Sequence, residues 1–238
     1  MRVPSRLAAA QALGLDVAAW VREGLVDLVV ASCFFSSADF DIPVADWKAR
    51  LGDRVAFLPE IAEGWSAGPG LPRRHNDYAT YLGAADILRS RGADGFYLFN
   101  LPYCPEKVFS SVCRDGLGAD ALACHGARYP VTYHDVAPAR LEANVQFPCT
   151  VGPERPATLR LLAGNGVAGR AVRVRTEGDA LPPTARVTLN GRAGVREADG
   201  HSFAFPSGAA HAGTNVLTVA SPQPVVLRTG EIAVSPQD

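Results

Sequence analysis

The sequence predicts an α/β unit followed by an all-β unit, and three observations carry that reading. First, a helical stretch over residues 77–91 runs straight into Gly92-Ala93-Asp94-Gly95-Phe96-Tyr97-Leu98-Phe99-Asn100. Its segment 96–99 is apolar on both faces, as a parallel strand buried between two layers is. Second, the same strand–helix rhythm occurs twice more upstream. Third, after about residue 145 the helical pattern ends, and short alternating runs appear between Gly, Pro, Asn and Asp. The first unit therefore reads as barrel-like, with a site in the loops at the C-terminal ends of its strands.

The elements follow in order. Residues 5–13 read as a helix ended by Gly14, and 16–23 as a second helix with Asp16 at its N-cap and Gly24 at its end. Residues 25–35 form a buried strand, and 43–51 a helix with Pro43 at its start. Residues 54–60 are the next strand, 77–91 a long helix, 96–100 the third full strand and 105–114 the helix after it. Trp20 and Trp47 fall at apolar helical spacing and belong to packing. Runs 158–162, 171–175, 185–189, 202–205, 215–219 and 225–227 read as strands of a small antiparallel β-sandwich. Asn190-Gly191 is a type I′ hairpin signal. Pro138, Pro148, Pro153 and Pro156 mark the connection, which divides the chain into a partial barrel over 1–140, a linker over 141–156 and a sandwich over 157–238.

Composition narrows the function classes. Hydrophobic content of 47% and charged content of 20% are those of an ordinary globular chain. A net charge of −1 with scattered Lys and Arg gives no electrostatic support for a nucleic-acid or anionic-membrane partner. No apolar run approaches the roughly 20 residues of a membrane span. The first residues lack a signal-peptide apolar region, so a cytoplasmic location is expected. Cys33, Cys104, Cys113, Cys124 and Cys149 have no CxxC spacing, and the histidines are dispersed, so neither a metal site nor a cofactor is expected. Gly68-Pro69-Gly70 is a turn, and Gly116-Leu117-Gly118 follows a helix, so neither is a phosphate or dinucleotide loop.

The barrel is short of strands. A closed barrel takes eight strands in typically about 250 residues. Here residues before about 140 supply three full strands, with Arg2-Val3-Pro4 reading as the end of a fourth. Completion by another chain or a second copy, a place as the C-terminal half of a longer protein, or a misplaced start is expected.

Particular segments give the architecture a likeness. Arg2-Val3-Pro4, residues 14–27, Pro43-Val44-Ala45-Asp46-Trp47, residues 92–100 and Tyr129-Pro130-Val131-Thr132-Tyr133 resemble a group of bacterial glycoside-hydrolase-like TIM barrels of the family-10-like kind. Val187-Thr188-Leu189-Asn190-Gly191 and residues 213–219 are similar to sandwich domains appended to glycosidases. The resemblance implies an incomplete (β/α)8 barrel: Arg2-Val3-Pro4 ends strand 5, and 25–35, 54–60 and 96–100 are strands 6, 7 and 8. It implies carbohydrate as the partner and a carboxylate mechanism.

Glycoside hydrolysis usually needs two carboxyl groups flanking the scissile bond. Glu60 is the leading candidate, because it ends a strand, where the resemblance places a nucleophile. Asp39 and Asp41, in the loop after residues 25–35, are candidates for the second carboxyl, against a plainer role in turn formation and capping. Glu63 reads as solvated, and Asp94 as an acceptor of backbone N–H groups ahead of its strand. Trp65 and Tyr103 are candidate sugar platforms, and His75, Asn100 and Arg2 candidate hydroxyl partners. The all-β unit has no Trp or Tyr beyond the linker, so packing is its expected role.

Overall fold

The computed structural model describes residues 1–33, 37–134 and 144–237. Its first part runs β1 (Arg2–Pro4), α1 (Leu7–Ala12), α2 (Val17–Arg22), β2 (Leu28–Ser32), α3 (Val44–Leu51), β3 (Ala56–Ala62), β4 (Gly64–Trp65), β5 (Arg74–His75), α4 (Tyr78–Ser90), β6 (Tyr97–Phe99), α5 (Glu106–Asp115), α6 (Ala119–His125) and β7 (Ala127–Pro130). Strands β1, β2, β3 and β6 form one four-stranded sheet in that order, and every pairing in it is parallel. Helices start and stop where local chemistry dictates: Asp16 accepts from Ala19 N at 2.9 Å, and Asp77 accepts from Thr80 N at 2.8 Å. Gly14 and Gly24 follow α1 and α2 with φ of 77° and 70°, which a glycine takes without steric cost.

The two faces of this sheet differ. Strand alternation sends Val29, Phe57 and Ile61 to one side, where they are buried, with Trp47 of α3 stacked 5.8 Å from Phe57. The other side carries Leu28, Val30, Ser32, Leu58, Glu60, Tyr97 and Phe99. Leu28 is 39% exposed and Tyr97 40%, so part of this apolar face meets solvent. β2 is shorter than the strand expected over 25–35: Leu25 is exposed ahead of it, and residues 34–36 lie outside the described residues. Asp94 accepts from Phe57 N at 2.9 Å and pairs with Lys48, the backbone role its position ahead of β6 implies.

The second part contains β8 (Cys149–Val151), β9 (Ala157–Ala163), β10 (Val172–Gly178), β11 (Arg186–Leu189), β12 (Arg192–Ala193), β13 (Val195–Arg196), β14 (Ser202–Phe205), β15 (Gly213–Ala220) and β16 (Val225–Val234). One antiparallel sheet has the order β12-β11-β15-β9, and the other β13-β14-β10-β16-β7 with β8 also on β16. Asn190 and Gly191, at φ of 50° and 80°, make the hairpin between β11 and β12. The expected division at 140 and 141 lies outside the described residues. The hydrogen bonding crosses it: β7, from residues expected in the first unit, pairs with Glu231–Val234, and β8, from the expected linker, also joins that sheet, on Val225–Leu227.

Helix α4 seals the seam. Tyr81, Leu82, Ala84, Ala85, Ile87 and Leu88 are all buried. Asp86 accepts from Tyr129 Oη at 2.7 Å and from Gly166 N at 2.8 Å, so its buried carboxyl joins α4 to β7 and to the turn after β9. Gly83 lies so close to β7 that a Cβ there would stand 2.0 Å from the Arg128 carbonyl oxygen. Alanine at that position gains about 1 kcal/mol of helix propensity. Forcing the two backbones apart costs about 1–3 kcal/mol or more. Gly83→Ala is therefore expected to lower the urea midpoint, and an unchanged or raised midpoint would contradict the contact.

Candidate functional site

The parallel register brings three polar side chains into a row at the C-terminal ends of β1, β2 and β3. Pro4 pairs with Ser32, and Ala31 with Pro59, so Ser32 stands one step on, beside Glu60. Ser32 Oγ donates to Glu60 Oε2. Arg2 donates through Nε to Ser32 Oγ at 2.6 Å and pairs through its Nη2 with Glu60 Oε2 at 2.9 Å. The Arg2 guanidinium also lies 4.2 Å from the centre of the Phe99 ring, so cation and ring meet above the glutamate. Glu60 is consequently 3% exposed. Burial pushes its carboxyl above the ordinary glutamate value of 4.5, against the lowering effects of the Ser32 hydrogen bond and of Arg2; nearby Glu63 adds to the rise.

The remaining candidates divide around this row. Tyr97 pairs in register with Glu60 and stacks with Phe99 at 6.3 Å, so an aromatic pair borders the carboxyl. Asn100 follows in the left-handed region at φ 58°, and Tyr103, 76% exposed, sits in the 3-10 turn Leu101–Tyr103 beyond it. Trp65 does not offer a platform: it is 3% exposed and covered by Arg74, whose guanidinium lies 5.5 Å from the ring and pairs with Glu177 of β10. His75 is exposed on β5, and among the described residues no hydrogen bond or ion pair joins it to the Glu60 row. Glu63 is ion-paired with Arg73 at 2.7 Å.

Asp39 and Asp41 belong to a separate cluster. Asp39 is fully buried, 3.1 Å from Arg6, and its other oxygen accepts from Asp41 N at 2.8 Å. Arg6 also donates to the Asp41 carbonyl at 2.6 Å and contacts the His134 ring. Asp41 pairs with Arg91 at 3.0 Å and with Arg160 of β9. Arg6, Asp41, Arg91, His134, Asn144 and Arg160 line a cleft of ≈ 560 Å³. Burial raises the Asp41 carboxyl, but Arg160, Arg91 and Arg6 outweigh it and hold the group below the ordinary 3.8. Asp41 is therefore ionised and clamped between arginines, which suits fastening the two units rather than donating a proton. Among the described residues, no hydrogen bond or ion pair joins either aspartate to Glu60, and no group of three His, Cys, Asp or Glu side chains is placed to hold a metal ion.

Sequence reasoning reached Glu60 and Arg2 separately but missed Ser32, Tyr97 and Phe99 as their neighbours. The signal was present in the two-residue alternation of residues 28–32 and 58–62, which places Ser32 and Glu60 on one face once the strands are parallel.

No protein-family model matches the chain, and no curated protein matches it. A solved structure described as "Crystal Structure of FLHE" is 18% identical, covers 48% of this chain and 100% of its own, and has a TM-score of 0.30. A likeness of that size carries no argument about fold or function. No helix among the described residues is long and apolar enough to cross a membrane.

A test of the second cluster follows from its charges. A carboxyl whose folded value lies below its ordinary one contributes stability that is present above 3.8 and lost as pH falls through the folded value. Asp41→Asn is expected to cost about 2 kcal/mol in urea unfolding at neutral pH, with the difference closing on acidification below 3.8. A penalty that does not change with pH would contradict the assignment.

Proposed function

We propose that the chain is a glycoside-hydrolase-like protein that acts on or binds carbohydrate. Its first unit is read as about four strands of an incomplete (β/α)8 barrel, and its second as an accessory β-sandwich. The observation that carries the reading is the Arg2–Ser32–Glu60 row, at the C-terminal ends of adjacent parallel strands and bordered by Tyr97 and Phe99. That end of a parallel barrel is where chemistry is carried out. A buried carboxyl with a raised proton affinity suits proton donation, and an aromatic pair suits the apolar face of a sugar ring. In this reading Glu60 supplies one carboxyl, Arg2 and Asn100 meet hydroxyl groups, and Tyr103 offers an exposed ring. Asp39 and Asp41 keep the neighbouring loop in place. Five free thiols support a cytoplasmic location.

The test is a panel of aryl glycosides and soluble oligosaccharides with the wild-type protein and Glu60→Gln. Glu60→Gln is expected to lower hydrolysis by about 10²–10⁴-fold. Equal activity in the two proteins would remove Glu60 from the chemistry. Binding retained by both without turnover would support the alternative, a non-catalytic carbohydrate-binding protein of the same architecture. The roof of Arg2 and Phe99 over Glu60 favours that alternative.

A second reading concerns completion. β1 and β6 each pair on one side only among the described residues, and Leu28 on β2 and Tyr97 on β6 are exposed. A two-fold axis along the strands would set β6 of one copy parallel to β1 of the other and close eight strands. Light scattering is expected to give twice the chain mass, with Leu28→Asp returning it to one chain mass. A wild-type chain that stays folded and monomeric would exclude closure by a second copy.

A further inference from the structure

We propose that Ser32 is a positioning residue for Glu60: together with Arg2 it commits the Oε2 oxygen and leaves Oε1 as the oxygen that meets the sugar. The inference deepens the carbohydrate reading and rests on it for the identity of the ligand.

The geometry is asymmetric. Both partners of Glu60 converge on Oε2, the Ser32 hydroxyl as donor and the Arg2 guanidinium at 2.9 Å. No hydrogen bond from a described residue reaches Oε1. Ser5 Oγ, Asp39 Oδ2 and Asn76 Oδ1 are fully buried side-chain oxygens without a hydrogen bond among the described residues, and Glu60 Oε1 is not one of them. The carboxyl is therefore bonded through Oε2 and takes no hydrogen bond from a described residue at Oε1, although its side chain as a whole is buried. A carboxylate free to rotate about its last torsion would exchange its two oxygens, since that terminal torsion is broad. A charge-assisted bond from Arg2 and a hydroxyl bond from Ser32 on the same oxygen remove that freedom.

Ser32 is suited to the role by its own constraints. It sits inside a parallel strand, so its backbone is fixed by pairing to Pro4 on one side, and its side chain is fully buried. Its hydroxyl accepts from Arg2 Nε at 2.6 Å, which aims its single proton at Glu60. The chain Arg2 Nε → Ser32 Oγ → Glu60 Oε2 thus has one direction. The plainer account of Ser32, a buried hydroxyl satisfied by whichever group is near, does not require both contacts to fall on the same carboxylate oxygen.

The test is the titration of Glu60 followed by carbon NMR of labelled glutamate in the wild type, Ser32→Ala, Ser32→Thr and Ser32→Cys, alongside the pH profile of sugar binding or turnover. Loss of a donor to the charged form raises the midpoint, so Ser32→Ala is expected to move it upward by about one pH unit. Ser32→Thr keeps the hydroxyl and is expected to restore it. Ser32→Cys, near in size but a weaker donor, is expected to shift it in the same direction as alanine with packing kept. The acid limb of the pH profile should follow the NMR midpoint in each variant. Midpoints unchanged in both Ser32→Ala and Ser32→Cys would overturn the proposal. Because the titration needs no ligand, shifted midpoints in a protein that takes no sugar would overturn the carbohydrate reading and leave the positioning of Glu60 standing.

Discussion

A carboxylate taken out of water has to be met by hydrogen bonds or a cation, and Glu60 is met by both. That requirement organises the first sheet. Ser32 and Arg2 can reach Oε2 together only because β1, β2 and β3 run parallel and in register. An antiparallel neighbour would bring the opposite strand end beside Glu60. Burial raises the carboxyl's proton affinity, and the hydroxyl and guanidinium lower it, with burial the larger effect. Carboxyls perturbed by burial and a specific charge partner concentrate at functional sites, where chemistry needs a shifted proton affinity.

The two units are fastened by carboxyl groups that meet hydrogen-bond donors and arginines, several of them partly exposed. Asp86 of α4 takes hydrogen bonds from Tyr129 and Gly166. Arg128 on β7 pairs with Glu231 on β16 and with Asp77 at the head of α4. Arg74 reaches Glu177, and Asp41 reaches Arg160. Each pair is modest where it meets solvent. Their shared effect is to hold the loops after β2 and β3 against the second unit, so that those loops have a fixed position relative to Glu60. The long loop between β3 and α4 is spent on this fastening, which accounts for the burial of Trp65.

Many of the individual elements were legible in the sequence. Helices α1 to α5 fall within a residue or two of the apolar patterns and caps that announce them, with Asp16 and Asp77 at their starts. The hairpin at Asn190-Gly191 was readable from two residues, because few other pairs accept positive φ at both positions. Strand β7 was not readable as part of the antiparallel sheet. It is four residues long, Ala-Arg-Tyr-Pro, too short for a pattern to assign it to either sheet, and its partner lies about a hundred residues on, at Glu231–Val234. Glu60 was visible from its place at a strand end, whereas the Arg2–Ser32–Glu60 row depends on register between strands roughly 30 residues apart, which no local pattern encodes. Trp65 read as a platform because exposed aromatics in long loops suit sugars; only the tertiary contact with Arg74 reveals that its face is covered.

The central claim is that the C-terminal end of the parallel sheet, around Glu60, is where this protein meets carbohydrate. The most direct measurement is an amide NMR titration of the labelled protein with soluble oligosaccharides of several linkages. The account predicts saturable shifts in Ser32, Glu60, Tyr97, Phe99 and Asn100, with the second unit unmoved. Shifts confined to the cleft beside Arg91 and Arg160, or none with any sugar, would contradict it.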